Sequence, residues 1–157
     1  MPRYAENTSV SVEKSKAEIE KILQRYGADQ FMHGWDQERA MVIFHMCERQ
    51  IRFILPLPDK NSNEFRYTPS KRKARSDDEA LKAWEQACRQ RWRALALAVK
   101  AKLEAVETGI TTFEEEFMAH IMLPNGSTVG EYMIPQIQVA YETKSMTKLL
   151  PWAKPVN

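Results

Sequence analysis

The chain has 157 residues, 43% hydrophobic and 28% charged, with a formal net charge of +2. This is the composition of one ordinary globular domain large enough to bury a core, and it excludes a disordered or collagen-like chain. No apolar run approaches the ~18 residues of a membrane span, and Met1-Pro2-Arg3-Tyr4-Ala5-Glu6 lacks the apolar centre of a secretion signal, so the expected location is the cytoplasm.

Residues 1–7 read as loose. Thr8 to Glu13 alternates and predicts a short strand with Val10 and Val12 on one face. Ser15 with Glu18 forms a capping-box pattern that opens a helix to Tyr26, with Ile19, Ile22, Leu23 and Tyr26 inward and Gly27 as its stop. Three strands follow, over 29–35, 40–47 and 50–56. A two-residue turn at Glu48-Arg49 sets Phe44 opposite Phe53, Val42 opposite Leu55 and Met46 opposite Ile51, all on one face. The other face carries Met41, Ile43, His45, Arg52 and Ile54, which predicts partial cover there too.

Residues 57–75 predict a long polar loop, functional or mobile. It carries Lys71, Arg72, Lys73 and Arg75 to the start of a helix spanning Ser76 to Thr108. Ser76 and Glu79 cap that helix, and Gly109 ends it. Leu81, Trp84, Cys88, Trp92, Leu95, Val99, Leu103 and Val106 form its apolar stripe. Lys82, Arg89, Arg93 and Lys100 fall within an arc of about 40° beside that stripe. Two further capping boxes follow, Thr112 with Glu115 and Thr128 with Glu131. The first helix turns Phe113, Phe117 and Met118 inward; the second presents Ile134, Ile137 and Tyr141 and is kinked or restarted at Pro135. The expected fold is α+β, a small antiparallel sheet packed by one long helix plus shorter helices. It forms a single domain, with a strand-helix-three-strand unit over 8–56, the loop 57–75, the helix 76–108, C-terminal helices over 110–143 and a tail over 144–157.

Charge is unevenly placed. From Arg66 to Lys102 there are eleven Lys/Arg against four Asp/Glu, and from Leu103 to Ala119 five Glu and no cation. The basic arc reads either as a solvated helix face or as a track for a phosphate backbone. Arg89, Arg91 and Arg93 around Trp92 make a basic-aromatic box, but Trp92 lies in the apolar stripe and is expected in the core.

Catalytic chemistry finds little to work with. His45 and Cys47 share a strand face, but His33 points away from them if Trp35 pairs with Ala40, so no metal site is expected. Cys88 is expected in the core with no base to activate it, and isolated His120 reads as structural. Glu114, Glu115 and Glu116 lie in a first helical turn, where the dipole stabilises them. Five glycines leave no phosphate-binding loop. Neither a cofactor nor an enzymatic activity is expected. Two cysteines suit a reducing compartment, with the pairing of Cys47 and Cys88 left open.

The order helix, three strands, helix resembles the double-stranded RNA-binding domain, as does the basic run Ser70-Lys71-Arg72-Lys73. The loop here is longer, and Asp77, Asp78 and Glu79 stand where phosphate contacts would fall, so that resemblance implies topology alone. Ala83 to Leu97 (AWEQACRQRWRALAL), Phe113-Glu114-Glu115-Glu116-Phe117, Leu123-Pro124-Asn125-Gly126, the opening Thr8 to Ser15 and Arg25-Tyr26-Gly27-Ala28 resemble a family of small uncharacterised proteins of tailed phages and prophages. That resemblance implies a phage accessory protein in the host cytoplasm and carries no activity. The leading expectation is a non-enzymatic protein binding nucleic acid, single strands above duplex, with Lys71, Arg72, Lys73, Arg75, Lys82, Arg89, Arg93 and Lys100 on the backbone and Phe31, Trp35 or Tyr67 stacking on bases. The alternative is an interaction module that inhibits or modulates a host or phage protein through the acidic segment 103–119 and the apolar tail Leu149-Leu150-Pro151-Trp152. Homo-oligomerisation is compatible with both, and a hydrolase or nuclease is the third reading.

Overall fold

A computed structural model describes residues 5–70 and 73–146. The fold is α+β: a three-stranded antiparallel sheet, order β1-β2-β3, with helices packed on one of its faces. The strands are β1 (Gln30–Trp35), β2 (Arg39–Met46) and β3 (Arg49–Pro56). The helices are α1 (Val12–Arg25), α2 (Asn63–Arg66), α3 (Asp77–Glu107), α4 (Phe113–Phe117) and α5 (Val129–Thr143), with a 3₁₀ turn at Met118–His120.

The strand expected over 8–13 does not form. Ser11, not Ser15, caps α1, its side chain accepting from the Lys14 N–H at 3.1 Å. Ser15 instead starts the buried stripe Ser15, Ile19, Leu23, where its small side chain admits close packing. Residues 5–8 are tied down as well: Ala5 is buried, and the Gln86 amide donates to the carbonyls of Glu6 and Thr8.

The β2–β3 turn is Cys47-Glu48, one residue earlier than expected, and both residues have positive φ (52° and 58°). A two-residue hairpin with both central residues left-handed matches the twist of its strands, though Asn-Gly adopts it with less strain. The register becomes Phe44 opposite Ile51, Val42 opposite Phe53 and Ala40 opposite Leu55. Each partner on β3 moves by two residues, which preserves the face. The residues expected inside therefore stay on the inner face.

That inner face packs against α1 and α3, burying Val42, Phe44, Ile51 and Phe53 with Ile19, Leu23, Trp92, Leu95, Ala96, Val99 and Leu103. Trp92 is 3% exposed, as its place in the stripe requires. The stripe is fully covered only in its second half. A 31-residue helix is about 46 Å long and an eight-residue strand about 27 Å, so α3 overhangs the sheet and leaves Leu81, Trp84 and Cys88 half-buried. Cys88, expected in the core, thus sits at its margin.

The expected loop 57–75 contains structure of its own. Ser62 caps the short α2, which buries Phe65, and Tyr67 bridges to Ala74. Phe113 and Phe117 of α4 close the open end of the core, with Phe117 edge-on to Phe44 and Phe53. Met118, expected inward, is half exposed. Ile121 then bridges to Ile51, so the chain crosses the β3 edge before α5 begins. The capping boxes of α3, α4 and α5 are all present, and α5 runs through Pro135 without restarting.

Candidate functional site

The predicted cations among the described residues differ in how far they are committed. Lys71 and Arg72 lie outside the described residues. Lys73 is exposed beside the Tyr67–Ala74 bridge, whereas Arg75 donates to the carbonyls of Glu64 and Phe65 and so braces α2. On α3, Lys82 pairs with Asp78 at 3.0 Å, which raises its pKa, and Arg93 pairs with Glu18 of α1. Arg89 is held in a fork by the Gln86 side-chain oxygen. Lys100 alone of the four is exposed without an ion pair among the described residues. Two cations of this arc are thus neutralised, one of them at the α1–α3 seam. Sequence spacing placed the arc correctly but gave no sign of Glu18, 75 residues away. Of the expected stacking residues, Trp35 is 72% exposed, Tyr67 is exposed and Phe31 is half-buried.

The histidines are dispersed. His33 pairs with Val42 on the inner-face side of β1, while His45 lies on the opposite face and bonds to Asp29 at 2.6 Å. His120 stacks on Phe53 with ring centroids 4.1 Å apart; burial, then repulsion by Lys102, lowers its pKa. Both cysteines are free, Cys47 exposed in the hairpin turn, and burial raises the Cys88 thiol pKa. Among the described residues no three His, Cys, Asp or Glu side chains are grouped as metal ligands.

Two concave surfaces remain. The first is a groove of about 730 Å³ between α4, the 3₁₀ turn and α5, with Met118, Leu123, Val129, Met133, Ile134 and Ile137 among its walls. The α5 end is anchored firmly. Gly130 sits where an added Cβ would lie 2.8 Å from the Ala119 carbonyl oxygen, Val129 N–H donates to the Ile121 carbonyl, and Glu131 accepts from Arg52 at 2.7 Å. The Thr128 N–H and Arg52 hold the Glu131 carboxyl below its usual pKa. Beyond this anchor the helix is bare: of its 15 residues only Gly130 is buried, and Ile134, Ile137 and Tyr141 are 64%, 45% and 82% exposed. Glu115 and Glu116 stand on the groove wall, and exposed Glu114 lies next to them on α4.

The second surface is a cavity of about 720 Å³ where the α1 N-terminus, the end of β1, residues 57–61 and the overhanging half of α3 meet. Trp35, Trp84 and Trp92 line it. Neither surface was legible as a site: the tryptophan cavity is assembled from segments distant in the chain, and the groove depends on how α5 folds back on α4. The exposed run Ile134, Ile137, Tyr141 was the one local signal.

No protein family model, curated protein or solved structure matches the chain. No helix among the described residues is long and apolar enough to cross a membrane.

Proposed function

We propose that this protein is a non-enzymatic interaction module, a phage accessory factor that captures an amphipathic basic helix of a host or phage protein in the α4–α5 groove. The observation that carries the reading is α5 itself. A helix with Ile134, Ile137 and Tyr141 exposed along one face is not normally left to water in a finished structure, and contiguous exposed apolar residues mark interaction sites. Its only charged residues are Glu131 and Glu142, and Glu115 and Glu116 line the same groove, where Glu116 pairs with Lys102. An apolar trough with acidic margins complements a helix that has one apolar face flanked by Lys and Arg. The tail expected to share this role, Leu149 to Trp152, lies outside the described residues.

The test uses a labelled synthetic helix with Leu on one face and Lys on the other, titrated by fluorescence anisotropy. Micromolar binding is expected, with none to the same helix carrying Glu for Lys. Ile134→Ser with Ile137→Ser should weaken binding at least ~10-fold, about 1.4 kcal/mol, without changing the far-ultraviolet spectrum. Equal binding by this variant, or by the acidic helix, would overturn the reading. So would light scattering that shows a dimer dissolved by the same substitutions, which would assign the groove to a second copy.

Nucleic-acid binding is the second reading. Lys73 and exposed Tyr67 at the Tyr67–Ala74 bridge support it, as does exposed Trp35. Phosphate contacts there require affinity for an oligonucleotide to fall with salt, by about 0.7 in log K per log salt for each contact on a single strand. A Lys73→Gln variant should flatten that slope; a slope near zero in wild type excludes Lys73 as a backbone contact.

A further inference from the structure

The tryptophan-lined cavity has the chemistry of a site for a planar aromatic anion. Its walls come from four segments: Lys16 from α1, Trp35 from β1, Lys60 from the 57–61 turn, and Trp84 and Trp92 from α3. Trp84 is fixed in orientation, its indole N–H donating to the Pro58 carbonyl at 2.8 Å. Trp92 closes the back, buried. Trp35 stands free at the mouth, an aromatic face that the fold does not use.

The charged side chains of the walls are committed to different degrees, and Arg89 is held by the Gln86 side-chain oxygen. Asp36 is spent on its own turn, accepting from the Glu38 and Arg39 N–H groups, and Asp59 likewise accepts from Asn61. Lys16 and Lys60 are less committed: among the described residues neither makes an ion pair, and each rests its ammonium over an indole, 4.9 Å from the Trp92 ring and 5.4 Å from the Trp84 ring. Such contacts are weak when solvated, so both ammonium groups remain available to an incoming anion. A cationic ligand would compete with these lysines for the same faces. Glu13 and Glu85, also without hydrogen-bond partners among the described residues, supply acceptors for amino or hydroxyl hydrogens.

We propose that this cavity binds a nucleotide unit, its base stacked on Trp35 and its phosphate held by Lys16 and Lys60. The unit comes either from a free nucleotide or from a single strand entering at the mouth. The inference does not depend on the α5 groove. It bears on nucleic-acid binding through a different surface from Lys73 and Tyr67, so a strand whose affinity ignores Lys73 leaves it intact.

The test is isothermal titration of the full chain with AMP, adenosine, choline and a short oligo-dA. Expected for wild type is saturable AMP binding tighter than about 1 mM, adenosine weaker, and choline none. Lys16→Gln with Lys60→Gln should weaken AMP at least ~10-fold and leave adenosine unchanged. Trp35→Ala, an exposed position whose loss does not threaten folding, should weaken both. Oligo-dA tighter than AMP identifies the strand as the source; equal affinity per site identifies the free nucleotide. No AMP binding at about 1 mM, binding of choline in its place, or AMP affinity indifferent to all three substitutions would overturn the proposal.

Discussion

Replacing Phe117 with Ala tests how the groove is held to the core. Phe117 is fully buried, edge-on to Phe44 at 5.9 Å and to Phe53 at 6.3 Å, and against Phe113 at 4.9 Å. Lys102, whose ammonium lies 5.8 Å from the ring, pairs with Glu116 next door, so the ring also sets the acidic wall of the groove. Truncating a buried Phe leaves a cavity and costs about 3–5 kcal/mol. For a chain of this size each kcal/mol lowers Tm by about 2–4 °C, giving a fall of roughly 6–20 °C in a circular-dichroism melt at pH 7. Phe117→Leu keeps most of the volume and should cost less than about 1.5 kcal/mol plus the lost aromatic contacts. A fall below about 3 °C for Phe117→Ala, or equal losses for Leu and Ala, would show that α4 is not packed on the sheet through this ring.

Three other outcomes follow from the packing. His120 is favoured neutral in the folded chain, so its stability contribution is present above about pH 6.5 and declines as pH falls through the lowered folded pKa; wild type should lose more Tm between pH 7 and pH 5 than His120→Gln does, and equal losses would contradict the burial. Cys47→Asn with Glu48→Gly relieves two left-handed residues and should raise stability by about 1–2 kcal/mol, read as a higher urea midpoint at unchanged m; a lower midpoint would mean that the turn is of another type. Gly130→Ala drives a methyl against the Ala119 carbonyl and should cost about 1–3 kcal/mol, whereas a neutral result would show that α5 shifts freely on its anchor.

The regular part of the fold was legible in the sequence because it is written in local rules. Capping boxes at Ser76, Thr112 and Thr128 mark their helices, and parity along β2 and β3 gives the correct inner face even with the wrong turn. Ser15 misled because a small polar residue at the top of a core stripe looks the same as a cap. The Cys47-Glu48 turn was hidden because neither residue is the Gly or Asn that a left-handed turn usually recruits. Loop 57–75 read as polar because α2 buries one residue, Phe65, among hydrophilic neighbours. The site was less legible still. Whether a basic arc is free depends on carboxylates brought in by tertiary contact, as Glu18 is to Arg93, and the tryptophan cavity joins four segments that no window of sequence contains.

The long separation between α1 and α3 has a consequence for how the chain is made. The sheet is complete once Pro56 has been synthesised, but the helix that covers half of it ends at Glu107. At about 5–20 residues per second, roughly 3–10 s pass between the two on a ribosome. Throughout that interval Val42, Phe44, Ile51 and Phe53 have only α1 to shelter them, on a three-stranded sheet with two open edges. The nascent chain is therefore most prone to aggregate while the residues between Pro56 and Glu107 are being added. Yield in a heterologous host should respond more to lower temperature or added chaperone than to substitutions that raise the melting point of the finished fold.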